Sequence, residues 1–307
     1  MIRNVRFVER VAEQISRECK MPATKTTNFL IGGDTAVNRI GFGAMRLSAD
    51  GFRGPARDPA TGRAVLRRVV QLGVNLIDTA AFYHSSDKTV RANSLIREEL
   101  HPYPSDLVIA TKVGPVFGAD GNLRPGTGAE MRQLVEENLE TLGLDRLDLV
   151  YLRIGAMAPP HGESIAERFE ALAALREEGL IRHLGLSNID EDHLQEARRI
   201  APVAAVQNSF HIAQRGDVAL LKSCEAENVA FSPFFPLGGG TTKIDDDRLA
   251  RIAARRKATT NQIALAWLLA LSPVMIAIPG TGSMAHLEEN TAAAEILLTE
   301  EDLADLA

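Results

Sequence analysis

The amino-acid sequence predicts an α/β protein that folds as a single (β/α)8 TIM barrel with an N-terminal β-hairpin and a C-terminal extra helix. Short apolar runs rich in β-branched residues alternate with amphipathic segments of about ten to fifteen residues, which is the pattern of successive βα units. The length of 307 residues suits one such barrel, and hydrophobic residues make up 45% of the chain, enough to fill its core. A doubly wound open sheet has the same alternation and is the competing interpretation.

The individual elements follow from turn residues and from the spacing of apolar residues. Asn28–Ile31 and Ala36–Arg39 are predicted to form the hairpin, because Gly32-Gly33-Asp34 supplies the positive φ angles of a tight turn. The eight predicted barrel strands are Arg39–Gly43, Val74–Asp78, Leu107–Val113, Leu147–Leu152, His183–Leu186, Ala204–Gln207, Val229–Pro233 and Val274–Ile278. The predicted helices are Gly62–Gln71, Asn93–Leu100, Ala129–Leu142, Ser164–Glu178, Glu191–Arg199, Asp217–Glu227, Asn261–Leu271 and, at the C-terminus, Glu300–Leu306.

Charge and cysteine content argue against several classes of function. Lys and Arg number 34 against 40 Asp and Glu, and this net charge of -6 does not favour nucleic-acid binding. The two distant cysteines, Cys19 and Cys224, form neither a disulfide framework nor a zinc site, so we expect no metal and a cytoplasmic location. No apolar run approaches the roughly 20 residues of a membrane span. Residues 1–25 are expected to be a helical or disordered extension of the barrel at 26–307, and a natural start at Met21 is an alternative.

Polar and glycine-rich sequences follow nearly every predicted strand, and in barrels of this class the strand carboxyl ends form the active site. Asp78 ends the second strand and Lys112 lies near the end of the third, so the two side chains are expected to share a hydrogen bond. A buried ammonium favours a nearby phenolate, and we therefore expect Lys112 to lower the pKa of Tyr83. Such a tyrosine acts as a general acid on a carbonyl oxygen. The alternative is a structural ion pair beside an ordinary loop tyrosine.

Several strings of sequence resemble the signatures of the aldo-keto reductase family. They are Asn75–Ala80 with Tyr83, Ala110–Gly114, Gly185–Asn188 and Ile278–Asn290. The resemblance implies that Asp78, Tyr83, Lys112 and Arg153 are the catalytic residues of a carbonyl reductase. Arg153 stands where the family usually has histidine, and its fixed charge would stabilise a developing oxyanion or bind an anionic substrate oxygen. A salt-bridged structural arginine is the alternative.

The same resemblance implies an extended nicotinamide cofactor, NADPH by default and NADH as a possibility. Many family members carry a lysine and an arginine for the 2′-phosphate where this chain has Gly280 and His286. The implied cofactor-binding residues are Gly43, Ala44, Met45, Ser187, Asn188, Gln207, Phe234, Leu237, Gly238, Gly239, Gly280, Thr281, Ser283, His286, Glu289 and Asn290.

Leu152-Arg153 and the segment Pro233–Gly239 resemble the pyridoxal reductase branch of the family, which implies reduction of pyridoxal to pyridoxine. Phe82, His84 and Phe117 are expected to border the substrate pocket. The loops that carry them differ from that branch, so another aldehyde or ketone, including a xenobiotic, sugar or secondary metabolite, stays open as the substrate. A cofactor-sensing protein like the channel β subunits is a further alternative. We expect a monomer or small homo-oligomer with no membrane or nucleic-acid partner.

Overall fold

The computed structural model describes residues 28–118, 123–155, 162–240, 242, 244 and 246–306. The extension predicted at 1–25 lies outside these residues. Strands β1 (Asn28–Ile31) and β2 (Thr35–Asn38) pair antiparallel, which confirms the predicted hairpin with its second strand one residue earlier. Gly32 and Gly33 have φ angles of 60° and 82°, which residues without a Cβ adopt at little cost.

The remaining strands build a parallel sheet and one additional hairpin. They are β3 (Phe42–Gly43), β4 (Leu76–Asp78), β5 (Val108–Val113), β6 (Pro115–Phe117), β7 (Leu123–Pro125), β8 (Leu147–Arg153), β9 (Ile181–Ser187), β10 (Ala205–Gln207) and β11 (Ala230–Phe231). The parallel sheet has the order β3-β4-β5-β8-β9-β10-β11, and β6 pairs antiparallel with β7 beside it. Every residue of β5 is buried, as expected for a parallel strand that is covered on both faces.

The predicted eighth barrel strand closes the sheet by pairing with both of its edges. Met275 pairs with Phe231 of β11 and Ala277 pairs with Ile40 ahead of β3, each as a single bridge. The Ala277 N–H donates to Arg39 O at 2.9 Å, and its carbonyl accepts from Gly41 N at 2.8 Å. These hydrogen bonds join the two edges of the sheet, so the predicted barrel is confirmed and the open sheet is excluded.

Helices cover the outside of the barrel. They are α1 (Met45–Ser48), α2 (Pro59–Gln71), α3 (Ala92–Leu100), α4 (Gly128–Leu142), α5 (Ala166–Glu177), α6 (Glu191–Ile200), α7 (Val218–Ala226), α8 (Asp247–Arg256), α9 (Thr260–Leu271), α10 (Met284–Ala292) and α11 (Glu300–Asp305). The sequence analysis did not predict α1, α8 or α10. Among the described residues, no helix combines the length and the apolar content that crossing a membrane requires.

Helix α4 illustrates how sequence determines these elements. Thr127 and Glu130 form a capping box at its start, and Gly143 ends it in the left-handed conformation with φ 67°. Met131, Val135 and Leu142 lie on its buried face, as their helical spacing predicts. The helix therefore packs against the barrel along the predicted stripe and leaves its charged face in solvent.

Candidate active site

Asp78 and Lys112 form a buried ion pair at the carboxyl ends of neighbouring strands. Lys112 Nζ donates to Asp78 Oδ1 at 2.5 Å and to the Thr79 carbonyl at 3.0 Å. The side chain of Lys112 is only 4% exposed and that of Asp78 only 6%, so water does not screen their attraction. Burial by itself lowers the pKa of Lys112, but the charges of Asp78 and Tyr83 more than offset it and the pKa is raised. Lys112 is therefore a permanent cation near neutral pH.

Tyr83 lies in the loop after β4 and faces this cation. Lys112 Nζ is 5.0 Å from the centre of the Tyr83 ring, and Phe82 packs edge-on against the same ring at 5.2 Å. Burial raises the pKa of the Tyr83 phenol, and the opposing effects of Lys112 and Arg153 are smaller. The expectation that the pKa lies below its ordinary value is therefore wrong, because desolvation outweighs the nearby cations. The phenol keeps its proton at neutral pH and is available as a donor.

Arg153, the last residue of β8, brings a second cation to the same rim. Its Nη1 donates to Ser187 Oγ at 3.2 Å, and its guanidinium lies over the Phe234 ring at 4.6 Å from the ring centre. Burial lowers its pKa to about 10, while the charges of Tyr83 and Asp78 act in the opposite direction. Arg153 thus remains charged at neutral pH, within electrostatic range of the phenol.

Gln207 and Asn188 extend the hydrogen-bond network across the mouth of the barrel. Gln207 Nε2 donates to Asp78 Oδ2 at 2.8 Å, so both carboxylate oxygens of Asp78 accept a hydrogen bond. Asn188 Nδ2 donates to the Ile154 carbonyl at 2.8 Å. Gln207 Oε1 is buried and has no hydrogen-bond partner within the described part of the chain. A buried acceptor of this kind fits the amide N–H of a carboxamide.

A cavity of about 270 Å³ lies beside these groups and is lined by residues from four segments of the chain. Asp78 and Tyr83 line it, as do six of the predicted cofactor residues: Gly43, Met45, Phe234, Leu237, Gly239 and Gly280. A Cβ on Gly43 would lie 2.8 Å from the Ile278 carbonyl oxygen, so only glycine allows the two backbones to approach.

The other predicted cofactor residues do not line the cavity. Ala44, Ser187, Asn188, Gln207 and Gly238 are buried, and Thr281, Ser283, His286, Glu289 and Asn290 follow Gly280 on a loop and on α10. Ser283 caps α10 by accepting a hydrogen bond from His286 N, and the His286 side chain is exposed.

Phe82, His84 and Phe117, predicted to border the substrate pocket, line a different cavity of about 260 Å³. It shares no lining residue with the cavity of Tyr83. The guanidinium of Arg53 covers the Phe117 ring at 3.7 Å from its centre. The sequence analysis missed Arg46, which lines the cavity of Tyr83 and directly follows the predicted residue Met45. The residues that the structure describes contain no group of three or more His, Cys, Asp or Glu placed to hold a metal ion.

Comparisons with known proteins agree with this geometry. Residues 39–307 match the sequence model of the Aldo/keto reductase family. The chain is 44% identical over 285 residues to pyridoxine 4-dehydrogenase of Escherichia coli K12, covering 92% of this chain and 98% of that protein. It is 40% identical over 276 residues to an uncharacterized oxidoreductase of Schizosaccharomyces pombe, covering 89% and 87% of the two chains.

A solved structure of an aldo-keto reductase from Klebsiella pneumoniae in complex with NADPH superposes with a TM-score of 0.75. It is 28% identical and covers 91% of this chain and 93% of that one. The family and fold inferred from the sequence are therefore confirmed. This chain is an oxidoreductase and a member of the Aldo/keto reductase family.

Proposed function

We propose that this protein reduces pyridoxal to pyridoxine, with NADPH as the reductant and Tyr83 as the proton donor. The observation that carries the proposal is the group of Asp78, Lys112, Tyr83 and Arg153 at the barrel mouth, where Lys112 pairs with Asp78 and faces the Tyr83 ring, and Asp78 and Tyr83 line the cavity of about 270 Å³. A protonated phenol that faces a buried cation, with a second cation within electrostatic range, is suited to protonate an oxygen that gains negative charge. A structural ion pair alone would not need a second cation beside the phenol.

In the proposed reaction, a bound NADPH supplies hydride to the carbonyl carbon, and the protein supplies one proton to the carbonyl oxygen. Tyr83 donates that proton and becomes a phenolate, which is then reprotonated from solvent. Lys112 and Arg153 stabilise the phenolate, because both cations lower the pKa of Tyr83 against the effect of burial. Asp78 keeps Lys112 charged and oriented through the 2.5 Å hydrogen bond.

Residues of the chain also fit the cofactor. Gln207 Oε1 is a buried acceptor without a partner in the described part of the chain, and it would take a hydrogen bond from the nicotinamide carboxamide. Phe234 offers an aromatic face in the same cavity, and Gly43 and Gly280 leave the backbone open to close approach. The complex of the Klebsiella pneumoniae relative with NADPH supports the choice of this cofactor.

Arg153 is the feature that favours pyridoxal over a generic aldehyde. Pyridoxal carries an ionisable phenol next to its aldehyde group, so a fixed cation at the carbonyl site can pair with that oxygen. The neutral histidine usual in the family would lack this charge. The name of the Escherichia coli relative, pyridoxine 4-dehydrogenase, supports the same substrate.

The test follows NADPH absorbance with pyridoxal and with a panel of neutral aromatic and aliphatic aldehydes. We expect pyridoxal to give the highest kcat/KM, and Tyr83→Phe to lower kcat by about 10²- to 10⁴-fold because the proton donor is lost. Arg153→His should lower kcat/KM for pyridoxal more than for benzaldehyde. Equal losses for the two substrates would contradict the pairing of Arg153 with the phenolate, and an inactive wild-type protein would contradict the proposed reaction.

A further inference from the structure

The chain lacks the lysine and the arginine that many members of the family use for the 2′-phosphate of NADPH, and has Gly280 and His286 at those positions. The His286 side chain is exposed on the first turns of α10. Positive charge beside the loop between Gly280 and α10 comes instead from an arginine in another part of the sequence.

Arg57 reaches the loop between Gly280 and α10 from a distant part of the sequence. A Cβ at position 282 would overlap Arg57 Nη1 and lie 3.3 Å from Arg57 Cζ, so Gly282 makes room for the guanidinium. Arg57 Nε is buried and has no hydrogen-bond partner among the residues that the structure describes. The guanidinium thus lies against the loop between Gly280 and α10, and its Nε–H group has no acceptor among the described residues.

The surroundings of Arg57 favour an anion. Helix α10 begins at Met284, directly after the loop, and has no acidic residue in its first turn. Its free N–H groups and helix dipole add positive potential there. Asp50 is the acidic group paired with Arg57, at 3.0 Å, but its side chain is 72% exposed, so a phosphate can compete with it for the guanidinium.

Arg46 brings a second guanidinium to the neighbouring glycine loop. Its Nη2 donates to the Gly239 carbonyl at 2.7 Å, and its side chain lines the cavity of Tyr83 with Gly240 and Gly280. A Cβ on Gly240 would lie 2.9 Å from the same nitrogen. Arg46 therefore lies at the cavity and also near Arg57, because its carbonyl oxygen would be 3.3 Å from the same Cβ at position 282 that would overlap Arg57.

We propose that Arg57 recognises the 2′-phosphate of NADPH and that Arg46 binds the pyrophosphate common to NADPH and NADH. This inference rests on the proposed use of a nicotinamide nucleotide. Arg57 then determines the preference for NADPH. From the loop before α2, it supplies the positive charge that is missing at positions 280 and 286. Gly282 makes this position of Arg57 possible, because any side chain at position 282 would displace the guanidinium.

The experiment measures cofactor binding without substrate, by titrating the protein into NADPH or NADH and recording nicotinamide fluorescence. Arg57→Met should raise the Kd for NADPH about tenfold or more, the effect of a lost charge-assisted hydrogen bond, and change the Kd for NADH less than about twofold. Arg46→Met should weaken both cofactors by similar factors. Arg63→Met is the matched control: Arg63 lies on α2, is 36% exposed like Arg57, and pairs with Glu98 instead.

Arg57→Lys keeps the charge and should retain a clear preference for NADPH, even if Arg57→Met folds poorly. Adenosine 2′,5′-bisphosphate is the second probe, and we expect it to displace NADPH from the wild-type protein more strongly than from Arg57→Met. An unchanged ratio of the two Kd values in both Arg57 variants would overturn the inference. Failure of the wild-type protein to bind either cofactor would instead overturn the proposed function.

Discussion

The buried ion pair of Asp78 and Lys112 can be tested by removing one charge and then the other. In Asp78→Asn the carboxylate becomes an amide of the same shape. In the wild-type protein both carboxylate oxygens of Asp78 accept a hydrogen bond, one from Lys112 Nζ at 2.5 Å and one from Gln207 Nε2 at 2.8 Å. The new amide has one acceptor and one donor group, so it must face one of these donors with its own N–H.

The expected loss of stability is large for a single atom change. The ammonium of Lys112 stays 4% exposed without a counter-charge, and breaking a buried pair in this way typically costs about 3 to 5 kcal/mol. That is a substantial part of the roughly 5 to 15 kcal/mol by which folded domains are stable. Adding Lys112→Met removes the orphaned charge, so the double variant should recover much of the loss.

Urea unfolding followed by circular dichroism measures all four proteins of this double-mutant cycle. We expect a coupling energy of about 1.5 to 3 kcal/mol between the two positions, with an unchanged dependence on urea concentration. Additivity within about 0.5 kcal/mol, or a loss below about 1 kcal/mol for Asp78→Asn alone, would refute a tightly coupled buried pair. All three variants should also lose carbonyl reduction, since each disturbs the environment of Tyr83.

Two further predictions concern groups outside this pair. Burial lowers the pKa of His84, so the folded protein binds this proton less readily than the unfolded chain does. The neutral imidazole therefore contributes stability above the unfolded pKa of 6.5, and this contribution is lost as the pH falls through the folded pKa. His84→Asn should therefore reduce the loss of unfolding free energy between about pH 7.5 and pH 5, and identical losses in both proteins would contradict this. Cys224 is fully buried and its pKa is raised to about 12 by that burial, so in a Cys19→Ser background a disulfide reagent at about pH 8 should label it only after denaturation. Rapid labelling of the native protein would contradict the buried position.

Sequence could predict the barrel and much of the candidate site because both depend on position along a strand. Asp78 ends β4, Lys112 lies in β5 and Arg153 ends β8, and parallel neighbours bring these ends to one edge of the barrel. The order of strands is fixed once the units are recognised, so proximity follows without knowledge of side-chain packing. The 2.5 Å contact between Asp78 and Lys112 agrees with that reasoning.

Features that depend on how loops pack were beyond the sequence. Phe82 and Phe117, which were expected at the substrate, line a cavity that shares no lining residue with that of Tyr83 but includes Lys112, and the guanidinium of Arg53 from another loop covers the Phe117 ring. Contacts between loops leave no periodic pattern in the sequence, so sequence analysis cannot predict them. The direction of the Tyr83 pKa was misjudged for a related reason, because burial raises this pKa by more than the nearby cations lower it, and the extent of burial depends on the folded structure.

At the closure of the barrel, the side chain of Arg39 adds hydrogen bonds to the pairing of the strand backbones. From the sequence, Arg39 is a charged residue at the end of a predicted strand, but it is only 9% exposed in the fold. Its guanidinium donates to the carbonyls of Met275 at 3.0 Å, Leu269 at 2.6 Å and Ser272 at 2.5 Å. The carbonyls of Leu269 and Ser272 lie at the end of α9, where carbonyls lack partners within the helix.

Arg39 therefore links the end of α9 to the start of the eighth strand. Burial lowers its pKa to about 10, so it stays charged at neutral pH and its hydrogen bonds remain charge-assisted. The same short segment continues into Ile278, Pro279 and Gly280, which form one wall of the cavity of Tyr83. Backbone hydrogen bonds join this segment to Phe231 on one side and to Arg39, Gly41 and Gly43 on the other. The side chain of Arg39 adds further hydrogen bonds to these, and a pattern of apolar residues alone cannot reveal such contacts.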